Sequence, residues 1–431
     1  MQDLLQDLGW RGMIQQMTAE DDFKQHLSDG MKIVYCGFDP TANSLHIGSL
    51  VPLLALKRFQ QYGHKPIALV GGATGLIGDP SFKSSERQLN SNEVVEGWVN
   101  CLKEQVSQFI DFDCGDNSAI VANNLDWTEN VDVLSFLRDV GKHFSINQMI
   151  QKESVKQRID REGEGISFTE FTYMILQSFD FAELNNRYNC TVQIGGSDQW
   201  GNITGGIDLT RRMNRQQVFG LTLPLVTKSD GTKFGKTESG TIWLDAKKTS
   251  QYAFYQFWLN TADADVYKFL RYFTFLEESE INAIETADEE AQGRPQAQGI
   301  LAKEVTQLVH GQAGLESAER ITQAMFQGTL ADLSENDLEQ LAQDGLPSSV
   351  LPADFSEKPL TALLAECGMA KVGREVKDAL GRNAVWVNGE AKGSDDNMKA
   401  GEIFSADKAL YGRFFLVKLG KKKNHLFIVN G

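Results

Sequence analysis

Between residues 32 and 230 the chain alternates short, almost wholly apolar runs with longer stretches in which apolar residues recur at helical spacing. The runs at 32–38, 66–71, 119–123 and 191–194 predict strands. Strands that are apolar at nearly every position and separated by helices pack as a parallel sheet covered on both faces. The expectation is a doubly wound, Rossmann-like α/β domain, whose ligands sit beyond the carboxyl ends of the strands. After residue 248 the period turns helical. Tyr252, Tyr255, Phe257, Trp258, Phe269 and Phe273 mark apolar helix faces up to residue 342, and a stripe of this kind reads as core rather than as a cofactor box. The stretch 344–359 carries three prolines and little periodicity, which reads as a linker over 344–358. The expected organisation is a sheet domain over 1–248, a helical domain over 249–343, the linker, and a further domain over 359–431.

The chain has 431 residues, 41% hydrophobic and 23% charged, which excludes disordered and fibrous classes and suits about three folding units. Its five cysteines form no Cys-x-x-Cys pair, so no zinc ribbon or disulfide framework is expected, and a reducing cytoplasm fits. The acidic start Met1-Gln2-Asp3-Leu4 and the lack of any long apolar run predict a protein that is neither exported nor membrane-spanning. The net charge of −16 argues against a protein that coats nucleic acid by bulk electrostatics. The charge is uneven: residues 277–354 hold 3 basic and 16 acidic side chains, residues 355–431 hold 13 and 9. Lys418, Lys421, Lys422 and Lys423 crowd the end of that basic tail, either a polyanion site or a solvated lysine face.

Three loops that follow apolar runs carry candidate chemistry. The first, Asp39 to Ser49, sets the Thr41 hydroxyl and the His46 imidazole beside a helix amino terminus, with Gly48 permitting close approach of a ligand: a donor cluster suited to phosphate oxygens, or a satisfied structural histidine. The second, Gly71 to Lys83, has four glycines but neither a P-loop ending nor dinucleotide-fold spacing. Asp79 at its end suits a substrate ammonium, and Lys83 with Arg87 add mobile positive charge; the alternative is a tight structural turn. The third, Lys228 to Thr237, holds Lys233 and Lys236, which can neutralise a departing pyrophosphate unless the loop is merely solvated. On the helical stretch 168–183, spacings of four and three residues put Tyr173, Gln177 and Asp180 within an arc of roughly 60°. Polar groups on a face otherwise rich in Phe, Met, Ile and Leu need partners once buried. Asp198, in the turn after 191–194, is placed to accept from ribose hydroxyls.

Taken together these blocks resemble the bacterial tyrosyl-tRNA synthetases of class I. His46-Ile47-Gly48-Ser49 is similar to the family's His-Ile-Gly-His signature and Lys233-Phe234-Gly235-Lys236-Thr237 to its Lys-Met-Ser-Lys-Ser signature, and Tyr35 to Asp39, the Asp79 loop, Tyr173 to Asp180 and Gly195 to Gln199 follow in the family's order. The resemblance implies that Tyr35 and Asp180 read a phenol hydroxyl while Asp79, Tyr173 and Gln177 hold an ammonium group. It implies that Cys36 and Asp198 contact the ribose and that Asp39, Gly48, Ser49 and Gln199 line the adenylate pocket. Thr41, His46, Lys83, Arg87, Lys233 and Lys236 would stabilise the pyrophosphate. One position departs from the family: Ser49 replaces the second signature histidine. Residues 363–390 are similar to a small α+β RNA-binding motif shared with a ribosomal protein, which makes Arg374, Lys377, Arg382, Lys421 and Lys422 candidates for tRNA.

The implied activity is ligation of L-tyrosine to tRNA(Tyr) at the expense of ATP, with Mg2+ accompanying ATP, no identifiable protein ligands for it, and no protein nucleophile. A homodimer is also implied. Two other readings are a tryptophanyl-tRNA synthetase, whose pocket has less use for the Tyr35–Asp180 pair, and a noncatalytic RNA-binding paralogue, against which His46, Lys233 and Lys236 argue.

Overall fold

The computed structural model describes residues 3–78, 91–152, 155–156, 159, 166–232, 234–237, 240–291, 293, 295–327, 330–421 and 423–429, with the side chains of 236, 237, 327 and 331 excepted. Two compact units divide the chain: Met1–Asp245 with Ala262–Ala297, and Ala246–Thr261 with Gln298–Gly431.

The first unit is built on a six-stranded sheet: β1 (Gln16–Met17), β2 (Ile33–Phe38), β3 (Lys65–Val70), β4 (Ile120–Asn123), β5 (Cys190–Gly196) and β6 (Phe219–Leu223), in the spatial order β1-β6-β5-β2-β3-β4. All neighbours are parallel except β1, a two-residue edge strand antiparallel to β6. The four strands expected from the apolar runs are present. β1 escaped the sequence reading because two residues carry no alternation to detect.

Chain order reverses direction between β2 and β5, which lie side by side, so a crevice opens above their carboxyl ends. The Phe168–Tyr188 helix borders that crevice. Its start is fixed by Ser167, which accepts from the Glu170 amide, and its end by Asn189 in the left-handed conformation at φ 55°. Its apolar side, with Phe179, Phe181 and Leu184, shares a buried core with Tyr35, Ile67 and Leu69 of the sheet.

The second unit differs from the expected helix–linker–domain series. Ser348–Val350 is no linker but a strand, paired in parallel with Lys423–Ile428 of a five-stranded sheet, and Leu351 is buried in the core of that sheet. The expected helical domain is itself divided. Asp263–Phe273 and Glu278–Glu290 belong to the first unit, while Gln251–Leu259 and the Ala297–Gln327 helix, broken at Gly311 (φ 69°), fall almost wholly in the second. The physical reason is a shared core: Ile321, Leu338 and Leu341 pack with Phe414, Leu416 and Leu426 of the terminal sheet. Proline content signalled an extended segment but not that the extension would find a strand partner.

Candidate active site

The floor of the crevice is made by β2, β4 and the Phe168–Tyr188 helix. Tyr35 on β2 is 1% exposed, its ring set edge-on to Phe181 at 5.2 Å, and its hydroxyl is buried with no hydrogen-bond partner among the described residues. Burial, then the nearby charge of Asp180, raises its pKa well above the usual phenol value. Asp180 is 2% exposed and accepts from Asn124 Nδ2 at 3.0 Å and Trp127 Nε1 at 2.9 Å. Burial pushes its carboxyl up to about 7, against the pull of these two donors and with help from the charges of Asp39 and Glu183. Both donors are neutral, which is why they do not hold the acid at its ordinary value.

Asn124 and Trp127 were missed in the sequence. Their link to Asp180 spans more than fifty residues, and only the asparagine pair directly after an apolar run offered a signal. That pair also sets the loop after β3. Asn123 accepts from the Gly72 amide, Asn124 accepts from the Ala73 amide and donates to the Thr74 hydroxyl, and Thr74 donates to Asp39 at 3.4 Å.

Above the floor, Tyr173 and Gln177 share one helix with Asp180, as the spacing predicts. Tyr173 donates to Asp39 at 3.2 Å, so two residues expected in separate subsites meet in one hydrogen bond. Gln177 donates to Gln199 at 3.3 Å while its own carbonyl oxygen is buried without a partner among the described residues. Gln199, on the turn after β5, donates to Asp198 at 2.9 Å. Cys36 lies buried on β2; burial and the charge of Asp198 push its thiol up to about 12. A neutral thiol at this position is a weak donor rather than a nucleophile.

The first and third loops are joined. The Ile47 amide donates to the Ile242 carbonyl, the Ile242 amide to the Gly235 carbonyl, and the Leu244 amide to the Leu45 carbonyl. Gly235 sits at φ 76°, and a Cβ there would stand 2.4 Å from Ile47 Cγ2, so glycine is required on both counts. His46 accepts from the Gly48 amide through Nδ1 at 3.0 Å, which leaves the proton of the neutral ring on Nε2. Ser49 precedes the Leu50–Gln61 helix without capping it through its side chain, and Thr41 is exposed with its amide donating to Asp39 O. Asp79, Lys83, Arg87, Lys233 and Lys422, and the side chain of Lys236, lie outside the described residues.

In the second unit Arg374 and Lys377 stand exposed on the Gly373–Leu380 helix and line an open depression with Thr361, Glu366 and Asn397. Arg382 and Lys421 are exposed as well. Lys423 is paired with Glu375 at 2.8 Å. Among the described residues no helix is long and apolar enough to cross a membrane.

Known proteins match this arrangement over nearly the whole chain. Residues 31–327 match the family described as tRNA synthetases class I (W and Y), and residues 337–427 match the Tyrosine--tRNA ligase SYY-like C-terminal domain. The chain is 65% identical to the Tyrosine--tRNA ligase of Aliivibrio fischeri strain MJ11, covering 99% of this chain and 98% of that protein. It is 57% identical to that of Escherichia coli O139:H28, covering 97% of each. The crystal structure of a C-terminally truncated mitochondrial tyrosyl-tRNA synthetase from Aspergillus nidulans superposes with a TM-score of 0.67 at 29% identity, over 76% of this chain and 95% of that one. A tryptophan-bound tryptophanyl-tRNA synthetase from Encephalitozoon cuniculi shares the fold alone, at 11% identity and a TM-score of 0.52, over 78% of this chain and 89% of that one. By sequence, fold and the order of its loops, the chain belongs to the class I tRNA synthetases of the W and Y family.

Proposed function

We propose that this chain is an ATP-dependent tyrosine–tRNA ligase that forms tyrosyl-adenylate and then passes the tyrosyl group to the terminal ribose of its tRNA. The observation that carries the choice of amino acid is the pair on the crevice floor. Tyr35 offers a buried hydroxyl with no partner among the described residues, and Asp180 an acceptor beside it. A substrate phenol can donate to Asp180 and accept from Tyr35 at once. An indole N–H only donates, and a phenyl ring does neither, so tryptophan and phenylalanine each leave a buried polar group unpaired. The Gln177 oxygen above the floor, which has no hydrogen-bond partner among the described residues, suits an ammonium donor, a role proposed to be shared with Tyr173 and Asp79.

Activation is attack by the carboxylate of tyrosine on the α-phosphorus of ATP. A new P–O bond forms, the α–β bridge breaks, and pyrophosphate leaves with the electron pair. The protein's part is placement and charge. Cys36, Asp198, Asp39, Gln199, Gly48 and Ser49 hold the adenylate end. His46 Nε2–H, the Thr41 hydroxyl, Lys83, Arg87, Lys233 and Lys236 meet the negative charge that gathers on the departing phosphates, and magnesium enters with the triphosphate. In the second step a ribose hydroxyl of the tRNA terminus attacks the tyrosyl carbonyl and AMP leaves.

Arg374, Lys377, Arg382, Lys421 and Lys422 supply phosphate contacts for the tRNA. Val133, Leu134, Leu137, Ile146 and Ile150, together with Phe168 at 77% exposure, are apolar and uncovered, which suits a second copy of the chain. Tyrosine-dependent exchange between ATP and pyrophosphate tests the reading. Exchange with tyrosine and not with tryptophan supports it, tryptophan-dependent exchange transfers the chain to the other branch of the family, and no exchange at all leaves a noncatalytic RNA-binding protein.

A further inference from the structure

The Asp263–Phe273 helix carries a buried carboxylate that neither the sequence reading nor the site above uses. Asp265 is 2% exposed and accepts from the Ser229 amide at 3.0 and 3.1 Å and from the Ser229 hydroxyl at 3.0 Å. Lys268, one turn along, pairs with Asp265 at 3.1 Å and donates to the Thr227 carbonyl at 2.8 Å. Ser229 opens a tight turn closed by the Gly231 amide on Lys228 O and by Asp230, which accepts from the Thr232 amide and hydroxyl. Beyond the turn, the Phe234 ring packs on Phe269 at 5.1 Å and Phe273 at 5.3 Å, on the same helix. Lys233 therefore falls in sequence between two residues that one helix holds.

The other end of that helix is gripped as firmly. Arg58, on the Leu50–Gln61 helix that begins at the His46 loop, donates to Thr274 O, and Arg11 donates to Arg271 O at 3.1 Å and Leu276 O at 2.9 Å. Both arginines are buried beside Asp7. Arginine at a helix carboxyl terminus meets the negative end of the dipole and the unpaired carbonyls there.

We infer that Asp265 is a positioning residue for the lysine-bearing loop: by holding Ser229 it fixes the turn from which the chain runs on to Phe234 and Gly235, in the loop whose lysines are proposed to meet the departing pyrophosphate. A carboxylate buried this far is costly unless satisfied, and here three of its contacts go to one residue of an exposed turn. Movement of the turn away from the helix leaves that carboxylate with Lys268 as its remaining partner among the described residues, so the docked position is favoured. Asp265 touches no reactant. Its effect falls on the step in which charge reaches the leaving group and not on the tyrosine pocket.

The inference rests on the ligase reading, and steady-state ATP–pyrophosphate exchange on the full chain separates the two. Asp265→Ala is expected to lower kcat about 10²-fold, the cost of a reactive group displaced by about 1 Å, with the KM for tyrosine unchanged. Asp265→Asn keeps an acceptor for the Ser229 amide and is expected to recover part of the loss; Phe234→Ala is expected to repeat the pattern through the other anchor. Thermal unfolding identifies any variant that fails to fold, in which case the remaining two decide. A native chain without exchange removes the ligase reading itself. A native chain with exchange, beside folded variants that keep kcat within about threefold or lose tyrosine affinity as much as kcat, overturns the role given to Asp265 and leaves the ligase reading standing.

Discussion

Asp180 and Asp265 are the same side chain at the same exposure, 2%, in one folding unit, and their protons behave oppositely. Asp180 titrates near 7 because burial outweighs a neutral amide and a neutral indole. For Asp265 burial also pushes upward, but the Ser229 amide, the Lys268 ammonium and the Ser229 hydroxyl together bring it below the usual carboxylate value. The difference lies in depth as well as in partners. Both side chains are shielded from solvent, but Asp180 lies deep within the protein, whereas Asp265 sits near its boundary, where burial opposes ionisation less and a cation and a backbone amide outweigh it. A floor with no cation among its described hydrogen-bond partners keeps acceptor capacity for an incoming neutral hydroxyl, whereas a carboxylate saturated by an ammonium and a backbone amide is a fixed anchor. One region keeps room for a further hydrogen-bond partner, as the proposed reading of a phenol requires, and the other is complete already.

The sharpest way to break the contrast is Asp180→Ala, which strips Asn124 and Trp127 of their acceptor as well as the substrate. The expected fall in kcat/KM for tyrosine is about 10²- to 10³-fold, with the KM for ATP hardly moved; an equal loss in both would place Asp180 outside the tyrosine pocket. Stability against pH is expected to separate the two carboxylates next. The folded chain keeps a proton on Asp180 up to about 7 that the unfolded chain releases near 3.8. The native protein therefore loses stability through this group as pH rises across that window, by about 4 kcal/mol. Relative to native, Asp180→Asn should gain over that interval and level off above it. Asp265, whose folded value is depressed, contributes stability that is present above about pH 4 and lost only below it. Asp265→Asn should therefore show a constant deficit from pH 5 to 8. Urea unfolding from pH 4 to 8 measures both, and parallel curves would erase the distinction.

Smaller effects follow. Trp127→Phe removes one donor from Asp180 and is expected to raise the KM for tyrosine about tenfold, measured in the same exchange assay. Ser49→His restores the longer donor of the family signature and is expected to tighten the KM for ATP a few-fold, an effect of one surface-accessible hydrogen bond; an unchanged or weaker constant would count against contact between residue 49 and nucleotide.

What the sequence disclosed was local. β2 to β5 announce themselves by unbroken apolar runs, and the polar face of Tyr173, Gln177 and Asp180 by helical spacing within one segment. The loops are legible because glycine, histidine and lysine stand beside the runs that position them. What stayed hidden was long-range. Nothing near Asp180 in sequence points to Asn124 or Trp127, and nothing near Ser229 points to Asp265, because these partners are chosen by the sheet order. Phe269 and Phe273 were correctly read as buried, yet burial alone could not reveal that they support Phe234 of the lysine loop. The Ser348–Val350 strand was read as linker because a three-residue strand has no periodicity of its own and depends on Lys423–Ile428 for its pairing.

The central claim is that the floor formed by Tyr35 and Asp180 reads the hydroxyl of tyrosine. Its most direct test is the ratio of kcat/KM for tyrosine to that for phenylalanine, in the native protein and in Asp180→Asn. The account predicts a ratio that falls by about tenfold or more, chiefly through loss of tyrosine activity while the phenylalanine value holds or rises. An unchanged ratio in a folded, active Asp180→Asn protein would contradict it.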